Sequence, residues 1–246
     1  QTGVPAGVAM AGALLPAVTL AIGWRPAFAI VALAGAAVLA LAQPIRGRLD
    51  ADRNPRRRSS LAGLFAPLAV LRQRPALLEL ALVSLVYSAM QVVLTSFLVA
   101  YLTETLHWSL VPAGFALTAA TLGGVAGRIG WGHVADRFLR PRHVLIVIGC
   151  LSSVFAIALT FATPAWPPRL VIPLALLFGA TAIGWNGVQL SEVARLAEPG
   201  MAGKVTGATS FVTFAGVVAG PPSFALLSSL TGSYRIGFVT FAAFCA

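Results

Sequence analysis

The sequence predicts an all-α integral membrane protein, a bundle of about eight transmembrane helices, and three observations carry that reading. Hydrophobic residues make up 58% of the 246 residues and charged residues only 10%, far from the roughly one-quarter charged content of soluble domains. Mean hydropathy is +0.89. The apolar residues are gathered into separate runs, each near the ~20 residues that a helix needs to cross a bilayer.

In order, the runs are Gly3 to Ile22, Pro26 to Pro44, Ala76 to Tyr101, Val111 to Trp131, Val144 to Thr163, Leu170 to Ala194, Val205 to Leu230, and Tyr234 to the end. Between the second and third lies the one long polar connection, residues 46–75, which carries eight arginines. Within it Leu61, Leu64, Phe65, Leu68 and Leu71 recur at helical spacing, which predicts a short interfacial helix leading into the third span.

The formal net charge of +10 does not point to nucleic acid, because the arginines cluster in short connections between apolar spans. Counted on alternate sides, fourteen of the seventeen Lys and Arg fall on the side holding the linker, the loop around Asp136, and the turn near Arg195 and Lys204. The other side holds Arg25, Arg169 and Arg235. The positive-inside rule therefore places linker 46–75 and loop 132–143 in the cytoplasm. Trp24, Tyr101, Trp108, Trp166 and Tyr234 lie at the arginine-poor ends, as an interfacial aromatic belt requires.

An internal repeat accompanies this pattern. The first run and its exit read TGVPAGVAMAGALLPAVTLAIGWRPAF, and the seventh TGATSFVTFAGVVAGPPSFALLSSLTGSYRIGF. Both open on Thr-Gly, carry Ala-Gly and then proline, and leave through aromatic-Arg-x-x-Phe. Copies six spans apart and running the same way are what two parallel six-helix halves produce.

The stretch from Gly127 to His143, GRIGWGHVADRFLRPRH, is a polar knot between two apolar runs and reads as a loop turning through water. Gly132, Asp136, Arg137 and Arg140 within it resemble the loop signature of the major facilitator superfamily, G-x-x-x-D-R-x-G-R-R/K. Leu139 stands where that family prefers glycine, and Pro141 interrupts the basic run. The resemblance implies a twelve-helix secondary transporter, an MFS-type helical bundle whose two halves rock about a mid-membrane substrate site. On that reading the runs correspond to the fifth through twelfth helices, so the chain is expected to be a fragment lacking the first four. Residues 1–45 then close the N-terminal half, 46–75 link the halves, and 76–246 form the C-terminal half with its last helix incomplete. The expected location is a bacterial inner membrane, a hint taken from abundant alanine and arginine.

Two polar groupings are candidate substrate contacts. Ser84, Ser88, Gln91 and Thr95 form one stripe on the third run, with Tyr87 beside it. Such a face meets either a water-filled cavity or the hydroxyl-bonding surface of a neighbouring helix. In the sixth run Trp185, Asn186 and Gln189 offer hydrogen bonds beside a flat apolar ring. Thr206, Thr209 and Thr213 on the seventh run read as packing hydroxyls. Glu192 and Arg195 share a helix face near the level of Arg128, Asp136 and Arg137, which suggests an ion-pair latch at the cytoplasmic end. The resemblance implies that Asp136 pairs with a helix N-terminus and neighbouring arginines when the carrier faces outward.

No catalytic or metal constellation stands out: His107, His133 and His143 are scattered, and Cys150 and Cys245 sit in apolar runs. The expectation is a transporter and not an enzyme, without cofactor or metal. Its partners are a small-molecule substrate, a coupling proton or other ion, and the lipid bilayer, and it is expected to be a monomer. A multidrug efflux antiporter of the same fold is the rival within the class. A polytopic membrane enzyme or a transporter-like sensor is the rival outside it.

Overall fold

The computed structural model of the chain describes residues 3–45, 68–72, 74–198 and 200–246, with backbone alone for residues 3–6 and 45. Among the described residues it is helical, with no strand. Helix α1 is Gly3–Ile22 and α2 is Trp24–Ala42, followed by a 3-10 turn at Gln43–Ile45. Then come α3 (Pro75–Ala100), α4 (Leu110–Arg137), α5 (Pro141–Thr160), α6 (Pro168–Ala182), α7 (Asn186–Leu196), α8 (Ala202–Thr231) and α9 (Tyr234–Cys245). Among the described residues six helical stretches are long and apolar enough to cross a membrane, α6 and α7 counting as one, and Gly7–Ile22 of α1 and the whole of α9 are shorter apolar helices.

Local chemistry sets the ends. Pro75, Pro141 and Pro168 stand at the first helical positions of α3, α5 and α6, where a missing N–H costs nothing and the fixed φ suits the helix. Gly23, at φ 86°, lets the chain reverse between α1 and α2, and Gly232, at φ 64°, closes α8 in the left-handed conformation. Of the interfacial helix expected before the third span, residues 68–72 are helical and Leu71 is buried; Leu61, Leu64 and Phe65 lie outside the described residues.

Two expectations need correction. The stretch read as a polar loop from Gly127 to His143 is mostly helix: α4 continues through Gly132 and Asp136 to Arg137, and only Phe138–Arg140 turn before α5. GRIGWGHVADR holds no proline, and its three glycines weaken the helix without ending it, so the backbone keeps its own hydrogen bonds past the apolar region. The sixth run, read as continuous from Leu170 to Ala194, is two helices, parted at Ile183–Trp185. The break falls at Gly184 and not at Pro173, which sits inside α6.

Packing explains that break. Helix α6 lies so close on α4 that Gly123 and Gly127 touch the backbone of Leu176 and Ala180, and Gly179 touches that of Ala120. The freed carbonyls find partners on α4: Trp131 Nε1 donates to Ala180 O at 2.9 Å, and Arg128 Nε donates to Ile183 O at 3.3 Å. On the other side α3 packs along α8, where Gly216 and Gly220 meet Leu85, Ser88 and Ala89. Helix α1 crosses α4 through Ala9, Gly12 and Pro16, and Thr118 Oγ1 donates to Ala9 O at 3.0 Å. At the arginine-poor end Phe224 stacks among Phe97, Phe238 and Phe241, with ring centroids 4.6 to 5.7 Å apart, binding α3, α8 and α9 together.

Candidate functional site

The helices α3, α4, α7 and α8 surround a cavity of about 310 Å³. That volume is at the small end for ligand pockets and suits a small solute. Helix α3 contributes Ser88 and Gln91, α4 contributes Arg128, the break contributes Trp185, and α7 contributes Asn186, Gln189 and Leu190. Helix α8 completes the wall with Ser210, Thr213, Phe214 and Val217.

The break between α6 and α7 positions the polar groups. Asn186, the first residue of α7, donates from Nδ2 to Gln91 Oε1 at 3.0 Å and to Ile183 O at 3.3 Å. Those bonds tie α7 to α3 and fix the amide faces that line the cavity. Trp185 is 1% exposed, and its Nε1 has no hydrogen-bond partner among the described residues. The ring stands edge-on to Tyr87, with centroids 5.8 Å apart. Among the described residues the cavity wall carries one formal charge, the Arg128 guanidinium, and no acid. A guanidinium placed in a membrane-spanning helix against uncharged amides and hydroxyls favours an anion there.

The polar stripe on α3 divides. Ser88 and Gln91 reach the cavity, and Ser88 Oγ also donates to Thr213 O at 2.7 Å. Ser84 is fully buried and shares a hydrogen bond with Thr213 Oγ1 at 2.7 Å, so it fastens α3 to α8. Thr95 spends its hydroxyl on Gln91 O and Val92 O of its own helix and stays off the cavity wall. Tyr87 donates to Leu145 O at 2.7 Å and touches the site through Trp185. The α8 contribution of Ser210, Phe214 and Val217 was missed in the sequence; the threonine stripe ending at Thr213 marks the same face.

At the arginine-rich end the charges pair differently from the sequence expectation. Glu192 is fully buried, and its carboxylate accepts Arg142 Nε at 2.8 Å and Arg195 Nε and Nη2 at 2.7 and 2.6 Å. Arg142 comes from the first turn of α5, so this clamp joins α5 to α7. Arg128 stands apart from it, in the cavity. Asp136, Arg137 and Arg140 are exposed and form no ion pair among the described residues, and a Cβ added at Gly132 would meet nothing within 4 Å. Arg74 and Glu198 make a second, exposed ion pair. Among the described residues no three His, Cys, Asp or Glu side chains gather to hold a metal.

Residues 1–221 match the sequence profile of the Major Facilitator Superfamily. The chain belongs to that superfamily. Among curated relatives, it is similar to monocarboxylate transporter 13 of rat, 26% identical over 147 residues, which are 60% of this chain and 34% of that protein. The bovine protein of the same name is 27% identical over the same span. An uncharacterized MFS-type transporter of Mycobacterium tuberculosis is 26% identical over 193 residues, 77% of this chain and 42% of that protein. The chain thus spans about a third to two-fifths of the length of the curated relatives it matches. As a superfamily member with, among the described residues, six helical stretches long and apolar enough to cross a bilayer, it is a multi-pass membrane protein of a transporter family.

Proposed function

We propose that this chain is part of a secondary transporter that carries a small organic anion, a monocarboxylate, by alternating access. The observation that carries the reading is Arg128: a guanidinium on a membrane-spanning helix lines a 310 Å³ cavity whose other polar groups, among the described residues, are uncharged. Arg128 is the carboxylate anchor, and Gln91, Asn186 and Gln189 are hydrogen-bonding groups for the rest of the solute. Trp185 supplies a flat wall. Similarity to proteins named monocarboxylate transporters supports the same class.

In this proposal residues 1–45 and 76–246 belong to two helical halves joined by linker 46–75, with the arginine-rich end in the cytoplasm. The protein lies in a cell inner membrane and works as a monomer. The Arg142–Glu192–Arg195 clamp holds α5 and α7 as one body while the halves rock. The driving force is an ion gradient or the gradient of the solute itself.

The test is uptake by the full-length protein in proteoliposomes. Labelled small monocarboxylates are expected to enter saturably and to compete with one another, while matched amides and organic cations do not compete. Uptake of lipophilic cations in preference to carboxylates overturns the reading in favour of a drug exporter.

A further inference from the structure

The side-chain amide of Asn186 can stand only one way round. It meets the carbonyl oxygen of Ile183 at 3.3 Å and Gln91 Oε1 at 3.0 Å. A backbone carbonyl only accepts, so the end of the amide that faces it is the nitrogen, and the other end is left as an acceptor. Gln91 is fixed in turn, because it shows its oxygen to Asn186 and keeps Nε2 as a donor. Asn186 Oδ1 accepts no hydrogen bond among the described residues. It is not sealed away as Trp185 Nε1 is, so it opens on the cavity that Asn186 lines.

The same Ile183 oxygen accepts Arg128 Nε, also at 3.3 Å. One atom therefore holds the cation and the fixed acceptor side by side, within reach of a single short solute. Gln189, 8% exposed, lines the cavity too, but neither end of its amide is committed to a described residue, so it can serve a donor or an acceptor. Asn186 cannot. A carboxylate offers acceptors only, and so does a keto group. Either one turned toward Asn186 Oδ1 sets oxygen against oxygen, and an alkyl carbon there displaces water and returns no hydrogen bond. An ammonium would donate, but among the described residues the wall carries Arg128 and no acid. A hydroxyl supplies the donor without the charge.

We propose that Asn186 is a specificity-determining residue. With the carboxylate of the solute on Arg128, Asn186 Oδ1 accepts a hydrogen bond from a hydroxyl of the same solute, and the carrier selects hydroxy acids over the matching keto, amino and unsubstituted acids. Gln91 and the Ile183 carbonyl position the amide for that task. The inference rests on the carboxylate reading of the cavity and adds a second functional group to the solute.

The test uses the full-length protein in mild detergent and measures, by titration calorimetry, the dissociation constants of butanoate and of its 2- and 3-hydroxy, 2- and 3-oxo, and 2- and 3-amino derivatives. A hydroxy acid is expected to bind about ten-fold more tightly than butanoate and than its own oxo and amino counterparts, the effect of leaving one desolvated acceptor unmet. Asn186→Leu is expected to shrink that ratio to within about two-fold, whatever it does to the affinity for the whole series. A merely structural role weakens all the acids alike and keeps the ratio. Hydroxy acids that bind the unmodified protein no more tightly than the oxo or plain acids, tightest binding by an amino acid, or a ratio preserved in Asn186→Leu overturns this inference and leaves the carboxylate reading standing. Binding by none of the acids takes down the carboxylate reading and this inference with it.

Discussion

The Nε–H of Arg128 donates to the carbonyl oxygen of Ile183, 3.3 Å away, so a cation on the cavity wall is held on the break between α6 and α7. The C-terminal end of α6 is the negative end of its helix dipole, and a guanidinium there is stabilised while still facing the cavity. Replacing Arg128 removes the proposed carboxylate anchor together with the tie to Ile183. Arg128→Gln is expected to raise the KM for a carboxylate by about 30-fold or more, the effect of truncating one partner of a desolvated charge pair. Arg128→Lys keeps the charge but loses the planar fork, and is expected to fall between. Concentration-dependent uptake in proteoliposomes measures both; an unchanged KM in Arg128→Gln removes the anchor role.

Glu192 is buried between two arginines that are themselves about half exposed, with side-chain exposures of 47% for Arg142 and 57% for Arg195. Solvent at the arginines softens the loss when the carboxylate goes, so Glu192→Gln is expected to cost about 2 kcal/mol, below the range for a wholly buried pair. In detergent that should lower the melting temperature by about 4–8 °C. Arg195→Gln is expected to do less, because Arg142 still holds the carboxylate. Equal melting temperatures for Glu192→Gln and the parent protein count against the clamp.

Hydropathy locates membrane helices because hydrocarbon leaves a backbone no other way to satisfy its polar groups. That is why α1 runs from Gly3 to Ile22, as read from the sequence. It is silent once a helix emerges into water, so the extension of α4 through Asp136 to Arg137 was not legible. Asn186 and Gln189 were found because polar residues in an apolar run are expensive and therefore stand out. The pairing of Glu192 with Arg142 was not found, since the two are fifty positions apart and only the packing of α5 on α7 joins them. The place of Arg128 was hidden in the same way: its neighbours in sequence are the motif residues, whereas in space it meets the Ile183 carbonyl at the α6–α7 break.

Backbone proximity between α4 and α6 makes a sharp prediction about Gly179. A Cβ there would overlap the carbonyl of Ala120, whereas one at Gly207 on α8 meets nothing within 4 Å. Gly179→Ala is expected to force α4 and α6 apart and cost about 1–3 kcal/mol, the usual penalty for overpacking. Gly207→Ala is expected to be neutral or slightly stabilising through helix propensity. Melting temperatures of the two variants in the same detergent decide it; similar values for both would mean that the helix contact is looser than the geometry describes.

Asp136 gives the last prediction. It lies exposed at the arginine-rich end of α4, without an ion pair among the described residues. Helix α1 crosses α4 elsewhere, through Gly12 against Gly114 and Thr118, in the first turns of α4 at the arginine-poor end. A carboxylate that gains nothing in this arrangement adds little to its stability. If it binds a helix end or an arginine when the arginine-rich end closes, its charge biases the balance between the two states. Asp136→Asn is therefore expected to leave membrane level and melting temperature unchanged while lowering the uptake rate about ten-fold, the effect of about 1.4 kcal/mol on a two-state balance. Cysteine labelling from the linker side should rise in the same variant, reporting a longer stay with that end open. Normal uptake with an unaltered labelling pattern assigns Asp136 to topology alone.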